Sequence, residues 1–307
     1  MTPRRLLRVA LLCSLALTPA LAQTKNAAEQ LGYPANAKLL IIHADDLAVS
    51  HSQDRASFAA LDQHAASSAS IMVPCPWLTE VAEYAKAHPG ADLGLHLTLT
   101  SEWKNYRWGP VASRNVVPGL LGPDGNLWPD VPPVTKNGKP AEVEAEIRAQ
   151  IERARKVGIR PTHVDSHMGT LFTPEFFAVY VKVAREYGLP FLAMRADNAP
   201  AAMLALVKDT DILPNATVMA TDVKPENWSA YYAGVIWSLK PGLTELIVHL
   251  AYDDAEMQAV TEDHPAYGSA WRQRDFNVIT SPEFRQLLKD NQVTLIGWNE
   301  IKQHQSR

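Results

Sequence analysis

The chain is poor in the features that mark several common protein classes. Only two cysteines occur in 307 residues, Cys13 and Cys75. That excludes a disulfide scaffold and a cysteine-ligated zinc site. No basic excess exists: the formal net charge is -4 and the pI about 6.2, so no positive field awaits a nucleic-acid backbone. Beyond the first two dozen residues no run is apolar and long enough to span a bilayer, which argues against stable membrane insertion. What remains is 47% hydrophobic and 20% charged, the balance of a globular chain able to bury a large core.

The N-terminus reads as a processing signal. Arg4, Arg5 and Arg8 precede the apolar stretch Val9 to Leu17, and Ala20-Leu21-Ala22 offers small residues for cleavage. Residues 1–22 are expected to be a signal peptide, with export to the periplasm or exterior after cleavage near Ala22. Cys13 would leave with it, and Cys75, beside an apolar run, reads as a buried small hydrophobe.

Residues 23–307 read as one α/β domain. Short apolar runs typical of buried parallel strands occur at 38–43, 69–73, 92–97, 162–165, 190–194, 245–250 and 293–298. Helical patterns lie between them. In 141–155, Val143, Ile147 and Ile151 share one face; 174–187 opens after Thr173 and stops at Gly188; another begins at Ser281-Pro282. Periodicity does not separate an open sheet from a barrel. The stretch 103–140, rich in Pro, Gly, Asn and Trp, reads as an irregular insertion. Trp103, Tyr106, Trp108 and Trp128 within it either line a sugar groove or anchor the loop.

Three of the strand patterns end in metal-ligating side chains. The first runs into His43-Ala44-Asp45-Asp46, the third contains Gly94-Leu95-His96-Leu97, and the fourth is His163-Val164-Asp165-Ser166-His167. Parallel α/β folds gather the carboxyl ends of their strands at one face, where sites are built. One carboxylate with two imidazoles suits zinc or another divalent ion with an open position.

In these motifs the chain resembles the YdjC-like (ChbG/HpnK) carbohydrate deacetylases. The matching segments are 40–46 (LIIHADD), 94–100 (GLHLTLT) and 161–167 (PTHVDSH), with weaker matches around Arg195 and at Glu245 to His249. The resemblance implies a distorted (β/α) barrel of the polysaccharide-deacetylase type and one divalent metal ion, zinc or magnesium foremost, held by Asp46, His96 and His167. It implies Asp45 as general base and His249 as general acid, acting on an acetylated oligosaccharide or glycan. Arg195, pairing with Asp45, and Asp165 and His163, behind the ligands, are supporting candidates. His43 shares the parity of Asp45 and is placed to point inward with it. The chain departs from the family at Met168-Gly169-Thr170, where further histidines are common, and at Leu47-Ala48, where the family has Phe-Gly. Both changes spare the triad and fall on residues that shape the pocket. Hydrolysis of another bond, such as a phosphodiester, and glycan binding without turnover are the competing readings. Oligomeric state is not legible.

Overall fold

A computed structural model describes residues 25–193 and 201–305. The leader-like residues 1–22 and Arg195 lie outside these described residues. Seven parallel strands form one curled sheet: β1 Lys38–Leu47, β2 Ser68–Ile71, β3 Leu93–Leu97, β4 Val164–Ser166, β5 Ala216–Met219, β6 Gly242–His249 and β7 Val293–Leu295. Their order is β4-β3-β2-β1-β6-β5, with β7 paired to the start of β1. Helices connect and cover them, giving a single-domain half-barrel. Among the described residues no helix is long and apolar enough to cross a membrane.

β1 is central because its first half, Leu39 to Ile42, is an unbroken apolar run. Leu39, Leu40, Ile41 and Ile42 are fully or almost fully buried, which is what a parallel strand covered on both faces requires. The expected helix at 141–155 is Pro140–Lys156, with proline at its first turn and Val143, Ile147 and Ile151 buried. The helix Pro282–Asp290 is capped by Ser281, whose Oγ accepts from the amide of Phe284. Cys75 is buried.

Differences from expectation occur where apolar runs are short or half-exposed. Among its described residues, the 190–194 run contributes an isolated bridge between Phe191 and Val164. β5 is an additional strand that its sequence, Ala-Thr-Val-Met, did not announce: it is an edge strand that stays partly exposed and needs no continuous apolar run. The 103–140 segment carries a short helix, Val131–Asn137, and tight indole anchoring. Trp108 Nε1 donates to the carbonyl of Thr100, Trp128 Nε1 to that of Gly119, and the Tyr106 hydroxyl to that of Val49. These rings hold the loop; Trp103 also reaches the cleft.

Candidate active site

Parallel register decides which side chains share the concave face. His43 pairs with Ile247 and Asp45 with His249 across β1 and β6; Ser70 pairs with Gly94, His96 with Asp165, and Met219 with Ile247. Side chains in register point the same way, so His43, Asp45, Ser70, His96, Asp165, Met219, Ile247 and His249 face one interior. Simple alternation would turn Asp46 to the opposite side. Instead the backbone of Asp46 is left-handed (φ 71°), as is that of Ala48 (φ 76°), and the β1–β2 register breaks between Ala44 and Leu47. Such a conformation costs a non-glycine residue roughly 1–3 kcal/mol. It brings two consecutive aspartates into one site.

Asp46 Oδ1 stands 3.4 Å from His96 Nε2 and 3.4 Å from His167 Nδ1. All three side chains are buried, yet Oδ1 has no hydrogen-bond partner in the protein. The far side of each ligand candidate is occupied. Asp46 Oδ2 accepts from Arg272 Nη2 at 2.8 Å, His96 Nδ1 lies 2.8 Å from Asp165 Oδ1, and His167 Nε2 lies 3.0 Å from Glu102 Oε2. Imidazoles that bind metals characteristically spend their second nitrogen on a carboxylate in this way. Two other buried groupings have ligand atoms within the same 4.8 Å reach, Asp45–His96–Asp165 and His43–His163–Asp165. The first shares His96, and in the second His43 Nε2 is already engaged with Asp165 Oδ2 at 3.0 Å. The Asp46–His96–His167 set therefore fits a divalent ion best.

The electrostatics point the same way. Burial alone would raise the Asp46 pKa, but Arg272 and His167 beside it hold it well below the usual carboxylate range. Burial opposes charge on His167, yet Glu102 and Asp46 raise it to about 10. His96 is likewise raised against burial, by Asp165 and Asp45. A pocket that draws protons onto two histidines is a pocket that attracts a cation. His249 behaves oppositely: burial pushes it down to about 4, so it is neutral near pH 7.

The remaining predicted residues separate clearly. Asp45 accepts from Ser70 Oγ at 3.4 Å and lies 3.2 Å from His43 Nε2 through Oδ1; its Oδ2 is 3.7 Å from His96 Nε2 and 4.0 Å from His249 Nε2. Asp165 bridges His96 and His43. His163 lies deeper, stacked on Trp298. Arg272 and Glu102 were not singled out by sequence reading. Arg272 also donates to Gln53 Oε1 and the carbonyl of Tyr267, while Gln53 donates to the carbonyl of Asp45. No local pattern marks that arginine, since its helix, Ser269–Ile279, lies more than two hundred residues from β1 in sequence. Glu102 had a faint signal, lying two residues beyond the 94–100 motif. The triad opens into a cleft of about 690 Å³ whose farther wall includes Phe172, Leu192, Met219, Ile247 and Tyr267.

Comparison with known proteins agrees with this geometry. A carbohydrate deacetylase of Thermus thermophilus is 30% identical over 82% of this chain and 90% of its own length. A chitooligosaccharide deacetylase of Serratia marcescens is 28% identical over 86% and 99%. A crystal structure of an Enterococcus faecalis protein named for cellobiose-phosphate cleavage superposes with a TM-score of 0.73 at 25% identity, covering 86% of this chain and 99% of the other. The same comparisons correct the expectation of export. Residues 1–22 lie ahead of the family match, which begins at residue 39, and outside the described residues, so nothing in the comparisons or the structure upholds a signal peptide or export. A short basic-apolar-small pattern is a low-specificity signal. The family profile described as YdjC-like protein matches residues 39–290, and the chain belongs to that family.

Proposed function

We propose that the chain is a metal-dependent hydrolase that removes acetyl groups from a carbohydrate, with one divalent ion on Asp46, His96 and His167. The observation that carries this reading is the unpartnered Asp46 Oδ1, aimed between two imidazole nitrogens whose other nitrogens face carboxylates. The substrate class is supported by the relatives named as carbohydrate and chitooligosaccharide deacetylases. A nitrogen-rich donor set favours zinc over magnesium, which prefers an all-oxygen shell.

A divalent ion in this position supplies Lewis acidity toward an acyl carbonyl and acidifies water. The protein does the rest. Asp45, held through Oδ1 by Ser70 and His43, presents Oδ2 to the triad as the proton acceptor for the attacking water. A new carbon–oxygen bond forms as the bond to the sugar nitrogen or oxygen breaks, and the leaving atom needs a proton. His249 faces that position from the other side of Asp45, 4.0 Å away. Because it begins neutral, His249 must first receive the proton that it donates. Asp165, Glu102 and Arg272 orient the three ligands. His163 touches none of them and takes no part in holding the ion.

The phosphodiester alternative is disfavoured by charge. Among the described residues lining the cleft, Arg272 is the lone lysine or arginine, and it is spent on Asp46, Gln53 and Tyr267. The decisive assay measures acetate released from a panel of acetylated sugars by the zinc-loaded protein. Acetate is expected, with a loss of about 10²- to 10⁴-fold in Asp45→Asn. No acetate from any sugar at stoichiometric metal would reject the reading.

A further inference from the structure

In the bore of the half-barrel, His163 and Glu245 each neighbour His43, and all three fully buried side chains leave one polar atom unpartnered. These are His43 Nδ1, His163 Nε2 and Glu245 Oε2. Their other polar atoms are all committed. His43 Nε2 lies 3.0 Å from Asp165 Oδ2, 3.0 Å from Ser70 Oγ and 3.2 Å from Asp45 Oδ1. Glu245 Oε1 accepts from Trp298 Nε1 at 2.9 Å. His163 Nδ1 is 2.9 Å from Thr162 Oγ1, whose own proton goes to Asp92. That ordering makes His163 Nδ1 a donor and leaves Nε2 a bare acceptor.

The rings have little freedom to repair this. His163 stacks on Trp298 with centroids 5.0 Å apart and 17° between planes, and meets His43 edge-on at 5.0 Å. It also lies against Gly94, where an added Cβ would come within 2.3 Å of the ring. His43 Nδ1 and Glu245 Oε1 are 3.9 Å apart, too far for a direct hydrogen bond and within the span of one bridging molecule. Unmet donors and acceptors on neighbouring buried side chains, His163 and Glu245 each beside His43, are the usual setting of a buried water. Leaving them unmet would cost about 1–3 kcal/mol each.

We propose that the bore holds one bound water, which accepts from His43 Nδ1 and donates to His163 Nε2 and Glu245 Oε2, and that this water makes Glu245 a positioning residue for Asp45 through His43. The protons balance with His43 as an imidazolium. Asp45 on its own strand, Asp165 from β4, Glu245 from β6 and the neutral ring of His163 are the titratable groups facing it, with Ser70 from β2. Despite burial, the adjacent Asp165 and Asp45 raise the His43 pKa well above its ordinary value. His43 thereby pins Oδ1 of Asp45 and leaves Oδ2 free to act. The catalytic half of the proposal rests on the deacetylase reading; the hydration site does not.

A crystal structure of the wild-type protein at atomic resolution tests the site directly, without any variant. Density about 2.8 Å from all three atoms is expected. An empty bore would overturn the proposal, and so would a second equivalent of metal per chain located there. The positioning role is read from Glu245→Gln by the pH dependence of acetate release. With the carboxylate gone, His43 gives up its proton at lower pH, so the alkaline limb of the kcat profile should move down by about one unit, with KM unchanged. A profile that superposes on the wild type would remove Glu245 from the mechanism. A chain that releases no acetate at all would reject the deacetylase reading while the density still decides the water.

Discussion

The two halves of the concave face are built from opposite materials. From β4 through β1 the interior is lined by Asp165, His96, Ser70, His43 and Asp45; from β6 to β5 it turns to Ile247, Thr217 and Met219, with Leu192 across the opening. The polar half is buried and cross-linked, so each carboxylate has an assigned partner. The other half is largely apolar where it lines the cleft, with Glu245 of β6 buried beside His43. Buried charges survive only when paired, which concentrates the chemistry on one side. On the proposed reading, the other half is where a neutral sugar ring and its acyl methyl would lie. His249 stands at the seam, on β6 but in register with Asp45.

The strongest way to break this comparison is to remove the ligands. His96→Ala with His167→Ala should bring acetate release to background and metal content to near zero by elemental analysis. Retained metal would put the ligands elsewhere. Next is Arg272→Met, which leaves Asp46 buried without its cation. Denaturant unfolding of the metal-free protein should show a loss of about 3–5 kcal/mol. A change below about 1 kcal/mol would mean that Arg272 does not hold Asp46. Glu102→Gln weakens the grip on His167 and should lower metal affinity about 10- to 100-fold, measured by competition with a chelating dye. On the apolar half, Met219→Ala should raise KM by up to roughly tenfold with kcat little changed. A fall in kcat instead would place Met219 among the reacting groups.

The smallest effect is a pH dependence of stability. Burial raises the Glu245 carboxyl from 4.5 to about 7. Between those values the folded protein binds the proton that the unfolded chain has released, so this term loses stability as pH rises through the window. Thermal melts of Glu245→Gln should lack that decline, and identical slopes would contradict a buried, proton-holding Glu245.

Much of the site was legible because it is local. Three short motifs at strand ends carried Asp45, Asp46, His96, Asp165 and His167, since a parallel sheet brings the carboxyl ends of its strands together. Arg272 was not legible. It reaches Asp46 from a separate helix, and one of two arginines in Trp-Arg-Gln-Arg-Asp carries no periodic mark. His163 was read as second to the ligands, but its ring lies one layer deeper against Trp298. β5 escaped because an edge strand needs no continuous apolar run.

The sequence by itself determined the α/β class and the central apolar strand, because these depend on residue type and spacing along single strands; the candidate triad came from motifs that resemble a known family. Only the tertiary structure decided that Asp45 and Asp46 face the same cleft. Alternation along a regular strand forbids it, and a left-handed turn at Asp46 permits it. It also decided which oxygen of Asp46 remains free, since Arg272, folded in from far along the chain, occupies the other.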